Sequence, residues 1–212
     1  MIAWVPRALA IGDRATLPNG SLVDWARQVA GAGVDAIQLR EKGFGGGALF
    51  ARACEMRAVI PAHIAFTVNG RLDVALAAGG CGVHLPERSP PLPRLRARFP
   101  ELLIGKSCHT LDKVVEALEA GADYVTYGPV FAPLSKVSAL PPVGLEGLAL
   151  ATELGVPVLA LGGVTLQRLE DIASTGASGI AGIGLFQNTG GLAQVVDAVA
   201  RLFPRRRRRG GG

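Results

Sequence analysis

Aromatic residues are scarce in this chain: Phe, Trp and Tyr supply 5% of 212 residues, although 49% of the chain is hydrophobic. A core must therefore be built from Ala, Val, Leu and Gly, the composition of an α/β protein with close helix-to-sheet contacts and tight turns. Cysteine is equally sparse. Cys54, Cys81 and Cys108 form an odd, scattered set without CxxC spacing, which excludes a disulfide framework and a structural zinc finger. All three read as packing residues. No run of about 18 apolar residues is present, so no membrane span is expected. The first ten residues, MIAWVPRALA, lack the basic start and cleavage site of a secretory signal, and a cytoplasmic protein is expected.

Excess charge is also missing from most of the chain. The formal charge of +5 equals the contribution of Arg205 to Arg209 alone. That run, followed by three glycines, reads as a disordered tail over 205–212 beyond a single domain over 1–204. The remainder is neutral, which excludes a nucleic-acid-binding surface on the domain. The length suits one domain.

What the chain does have is a repeating phrase: an apolar helix ending near glycine, a short turn, then a β-rich run. It occurs at 30–40, 77–86, 119–129 and 174–184. Further candidate strands lie at 8–12, 63–69, 102–107 and 156–163, making eight in alternation with helical stretches. Leu111, Val114, Val115 and Leu118 follow a helical stripe, as do Leu192, Val195, Val196 and Val199. Ser21 with Asp24 forms a capping pair for the first helix. Strict β/α alternation implies parallel strands. Eight units in this length imply a single (β/α)8 TIM barrel, with an open doubly wound sheet as the alternative.

A barrel gathers its βα-loops at the strand C-termini, so chemistry is expected there. Strand two ends in Gln38-Leu39-Arg40-Glu41-Lys42, whose alternate members Gln38, Arg40 and Lys42 could share a face toward an anion. The bland reading is an Arg40–Glu41 ion pair. Strand three ends in Asn69-Gly70, an amide beside a flexible turn. Strand five ends in Lys106-Ser107-Cys108-His109, and His109 is the histidine placed just beyond a strand C-terminus. Imidazole changes charge near neutral pH and suits acid–base work, against the alternative of a structural histidine. A long loop after strand six carries Ser135 and Lys136 and reads as an active-site flap. Strands seven and eight end in Gly162-Gly163 and Gly182-Ile183-Gly184, suited to holding a phosphate on backbone N–H groups. Tight turns are the structural alternative.

These motifs together make the chain similar to the family of thiamine phosphate synthases and TenI-type thiazole tautomerases. The resemblance spans residues 5–203 and rests on QLREK at 38–42, VNGRLDVAL at 68–76, GVHLPE at 82–87, IGKSCHT at 104–110, GADYVTYGPVF at 121–131, PPVGLEGL at 141–148 and LALGGVT at 159–165. It implies that Gln38, Arg40, Lys42, Asn69 and Lys136 meet a pyrophosphate. Gly163, Ile183 and Gly184 would bind the thiazole phosphate, and Ser107 would lie near the reacting centre. It also exposes departures. Gly70 and Ser89 stand where synthases carry acidic magnesium ligands, and Pro133 replaces an expected threonine. The resemblance therefore leans toward a metal-independent tautomerase with His109 as proton shuttle. The alternatives are a magnesium-dependent synthase and a non-catalytic ligand-binding barrel. The expected partner is a small thiazole phosphate, and a homo-oligomer is compatible with the sequence.

Overall fold

The computed structural model describes residues 2–17, 20–132, 140–187 and 189–208. Eight strands, β1 Ala8–Gly12, β2 Ala36–Leu39, β3 Ala65–Asn69, β4 Gly82–Leu85, β5 Leu103–Cys108, β6 Tyr124–Tyr127, β7 Val158–Leu161 and β8 Gly179–Gly182, pair in sequence order. Every pair is parallel, and β8 returns to β1 through Leu9↔Ala181. The sheet is thus a closed (β/α)8 barrel. An open sheet is excluded. The alternating helices are α1 Leu22–Gly31, α2 Gly46–Val59, α3 Leu72–Ala77, α4 Leu92–Arg98, α5 Leu111–Glu119, α6 Gly144–Glu153, α7 Leu169–Ser174 and α8 Leu192–Leu202. Among the described residues no helix is long and apolar enough to cross a membrane.

Local sequence explains the junctions. Ser21 caps α1 by accepting from the Asp24 N–H at 3.3 Å, as the capping pair predicts. Gly33, Gly79, Gly121 and Gly176, one from each repeated phrase, adopt φ of 89°, 72°, 86° and 83°. A side chain there would be strained, and this is why glycine recurs at these turns. On α5 the buried line is Val114 and Ala117, with Leu111 and Leu118 half-buried beside it.

Two apolar clusters result. One fills the space between strands and helices. The other lines the barrel axis with Leu9, Ile11, Ala36, Ala65, Leu103, Tyr124, Leu159 and Ala181. Small residues on several strands leave room for the large Tyr124 ring.

The arginine run departs from expectation at the barrel floor, the N-terminal end of the strands. Rather than a free tail, residues 205–208 return along the N-terminal segment. Val5 N–H donates to Arg206 O at 2.9 Å, Arg208 N–H to Ala3 O at 3.1 Å, and Arg207 lies over the Trp4 ring. Arg205 pairs with Asp35, which also accepts from Arg7 and the Ala8 N–H. The Arg208 side chain is only 6% exposed and pairs with Asp123, itself shared with Arg96 and the Ile104 N–H. Buried carboxylates on the floor give these arginines partners, and charged partners order a segment that composition alone reads as solvated. Residues 209–212 lie outside the described residues.

Candidate functional site

The opposite end of the barrel gathers most of the residues singled out by sequence. Strand alternation brings Gln38, Thr67 and Asn69 to the mouth on β2 and β3 and Ser107 on β5, with His109 just past the end of β5. Gln38 is 1% exposed, yet its Nε2 has no hydrogen-bond partner, and the same holds for Thr67 Oγ1 beside it in register. Buried polar atoms are normally paired, so an unpaired couple marks a place that a ligand completes.

Arg40 is held at the rim by Asp13, with Nη1 2.8 Å from Oδ2. The Arg40–Glu41 pair expected as the bland reading does not form; Glu41 accepts instead from the Arg14 N–H at 2.6 Å. Lys42 is exposed, because β2 ends at Leu39 and strand alternation no longer governs it. Asn69 is half-buried at the end of β3. Lys136, Ser135 and Pro133 lie outside the described residues.

On β5 the inward line runs through Gly105 and Ser107 to His109. Cys108 points the other way, buried against Lys113 O, and burial pushes its thiol up to about 12, so it is inert packing. His109 Nδ1 bonds Gly128 O at 2.5 Å, across the end of β6. A carbonyl only accepts, so Nδ1 carries a proton and donates it to Gly128 O, leaving Nε2 toward the mouth. That arrangement leaves Nε2 as the ring atom able to exchange a proton with a ligand.

The two glycine loops differ. Gly162 and Gly163 have φ of 96° and 62°, and the loop after β6 packs against them. A Cβ on Gly163 would sit 2.7 Å from Phe131 Cβ and 2.8 Å from Ala132 O. Phe131 N–H donates to Gly162 O, and Arg168 donates to Gly163 O while lying over the Phe131 ring. These glycines therefore serve the fold as well as any ligand. Gly184 is exposed, with nothing within 4 Å of a built Cβ. The N–H groups of Gly163, Ile183 and Gly184 have no acceptor among the described residues. A cavity of about 310 Å³ lies between the loops, lined by Val164, Thr165 and Gly184 and the first turn of α8.

Sequence reasoning passed over His84, an inward residue of β4. Its Nε2 lies 3.0 Å from Ser107 Oγ and its Nδ1 3.3 Å from the Tyr124 hydroxyl. Burial, aided by the Lys106 charge, lowers its pKa to about 3, so the ring is neutral. The period-two spacing from Gly82 to His84 was the available signal.

The chain matches the model of the thiamine monophosphate synthase family over residues 8–186. It belongs to that family. A thiamine-phosphate synthase of Anaeromyxobacter dehalogenans is 38% identical over 179 residues, covering 84% of this chain and 79% of the relative. A putative thiamine-phosphate synthase 2 of Aquifex aeolicus is 37% identical over 86% of this chain and 98% of its own length. The solved thiamine phosphate pyrophosphorylase of Pyrococcus furiosus superposes with a TM-score of 0.77 at 30% identity, covering 92% and 96% of the two chains. The first two relatives carry the synthase name, which supports the synthase alternative better than the tautomerase branch expected first.

Magnesium is the group that the synthase resemblance implies, and the donor set tests it. Gly70 offers no side chain. Ser89 Oγ accepts from Lys106 Nζ at 2.9 Å, and the same ammonium is bound by Pro86 O and Glu87 O. A hard divalent cation prefers carboxylate oxygens, and here it would meet an ammonium instead. The residues at these two positions do not fit magnesium.

Proposed function

We propose that this chain is a thiamine-phosphate synthase, joining a hydroxymethylpyrimidine pyrophosphate to a thiazole phosphate at the barrel mouth. The observation that carries the reading is a pair of unfilled polar sets placed around the barrel with β5 between them. The unpaired Gln38 Nε2 and Thr67 Oγ1 lie on the β2–β3 side, beside the Arg40 guanidinium that Asp13 holds in place. The N–H groups of Gly163, Ile183 and Gly184, without an acceptor among the described residues, lie on the β7–β8 side. Two anionic substrates would each find an anchor, and Ser107 and His109 stand between them. In the coupling, a bond forms between the two halves and the diphosphate departs with the electron pair of the broken carbon–oxygen bond. Arg40 would face that developing charge, and oriented donors of this kind stabilise it. The names of the relatives support the same reading.

The lysine-occupied Ser89 position and the His109 ring, whose Nδ1 is anchored on Gly128 O, favour a second reading, the tautomerase. There, His109 Nε2 would take a ring proton from a carboxythiazole phosphate and return one to the exocyclic carbon. Incubation of the purified protein with both precursors, with magnesium and with chelator, separates the readings. Thiamine phosphate formation is expected. Isomerisation of the carboxythiazole phosphate without any coupling would replace the synthase by the tautomerase, and tight binding without turnover of either would leave a ligand-binding barrel.

A further inference from the structure

The barrel interior holds a hydrogen-bonded group that the coupling reaction leaves without a task. His84 on β4, Gly105 on β5 and Tyr124 on β6 stand side by side, with His84↔Gly105 and Gly105↔Tyr124 in register. Tyr124 is fully buried, and its hydroxyl has one polar neighbour among the described residues, His84 Nδ1 at 3.3 Å. On the other side of the ring, Nε2 faces Ser107 Oγ at 3.0 Å and Thr126 Oγ1 at 3.4 Å. The absence of a side chain at Gly105 makes the contact feasible. A Cβ there would lie 2.2 Å from Tyr124 Cζ and 2.6 Å from His84 Nδ1.

We infer that Tyr124, acting through the His84 imidazole, fixes the Ser107 hydroxyl as a hydrogen-bond donor toward the bound ligand. The inference rests on the reading above, in which Ser107 faces substrate. A neutral imidazole has one donor and one acceptor nitrogen. When the phenol donates to Nδ1, the ring proton resides on Nε2 and is donated to Ser107 Oγ. The reverse tautomer would place a proton on Nδ1 and leave the buried phenolic hydrogen with no acceptor, a costly arrangement. Thr126 competes for Nε2 only at the longer distance, and an aliphatic hydroxyl is a weaker donor than a phenol. Burial keeps the ring neutral, so the relay has a single direction. With one lone pair of Oγ occupied, the half-buried Ser107 hydroxyl has its hydrogen available for the mouth. A donor preset in this way suits an anionic or charge-accumulating ligand atom and needs no reorganisation when charge develops. Tyr124 and His84 are positioning residues; Ser107 is the group that touches the ligand.

The tautomer can be read directly by long-range proton–nitrogen NMR of the histidine rings, with the His84 signal assigned by its loss in His84→Gln. The expected result is an Nε2-protonated ring with a bare Nδ1. A predominantly Nδ1-protonated His84 overturns the inference. Tyr124→Phe removes the donor that sets the tautomer, so the ring should shift toward a mixture. In turnover, kcat should fall about tenfold with KM changed less than threefold, since the anchors on β2–β3 and β7–β8 are untouched. An unaltered tautomer in Tyr124→Phe also overturns it. Should Tyr124→Phe fail to fold, the wild-type spectrum still decides. The spectrum is independent of substrate identity, so failure of the synthase reading shows in the precursor assay and failure of the relay shows here.

Discussion

The buried carboxylates of the barrel floor and the buried amide and hydroxyl of its mouth are treated in opposite ways. On the floor every buried charge has partners: Asp35 accepts from Arg7, Arg205 and a backbone N–H, and Asp123 from Arg96, Arg208 and another. At the mouth, Gln38 Nε2, Thr67 Oγ1 and the N–H groups of Gly163, Ile183 and Gly184 have no partner among the described residues. The floor fastens residues 205–208 to the segment before β1; the mouth presents polar groups that no described residue satisfies. Burying a polar group unpaired costs stability, so a fold retains such groups where a ligand compensates them.

That contrast can be broken most directly at Asp123. Asp123→Ala strands the guanidinium of Arg208 and loosens Arg96, and removal of one partner from a buried pair costs about 3–5 kcal/mol. A urea unfolding curve should show that loss, while the surviving folded protein binds thiazole phosphate as before. Full stability with abolished binding would place Asp123 in the functional half and end the division.

Between floor and mouth, His84 sets an acid limit. Its pKa in the fold is about 3 against an ordinary 6.5, so the unfolded chain takes up the proton first. The stability it allows is therefore fully present above pH 6.5 and declines as pH falls toward 3, by an amount on the order of a few kcal/mol. Unfolding free energies measured across this range should fall less steeply in His84→Gln than in the wild type. Parallel curves would show that the ring is not held neutral.

The smallest effect on stability is expected at the mouth itself. Gln38→Leu and Thr67→Val remove unpaired buried polar atoms, so each should leave stability unchanged or raise it by about 1 kcal/mol. Affinity for the pyrimidine pyrophosphate, measured by calorimetry, should nevertheless drop by about tenfold or more. A stability loss with unchanged affinity would mean that these atoms have structural partners.

Much of the architecture was legible in the residues. The recurrent Ala-Gly phrases marked helix ends because only glycine sits easily at positive φ there, and eight β-rich runs between helices left little choice but a closed parallel barrel. Gln38, Asn69, Ser107 and His109 were found at the mouth because strand ends in a barrel converge. Three contacts lay beyond local reading because of their distance in sequence. Arg40 meets Asp13, 27 residues away, rather than its neighbour Glu41. Arg208 meets Asp123 across 85 residues, turning an apparent tail into a fastening. Lys106 occupies the Ser89 position from the next strand, 17 residues on.

The sequence by itself determined the periodicities: which segments are strands, where helices end, and which side of each strand is apolar. These are local properties, set by backbone sterics and by the spacing of apolar side chains. Tertiary structure alone decided the pairing of charges and the tautomers. Whether Ser107 donates or accepts depends on His84 and Tyr124, 23 residues before it and 17 after, brought to one level by strand register. Hydrogen-bond direction is a property of a closed network, and no single segment of this chain contains one.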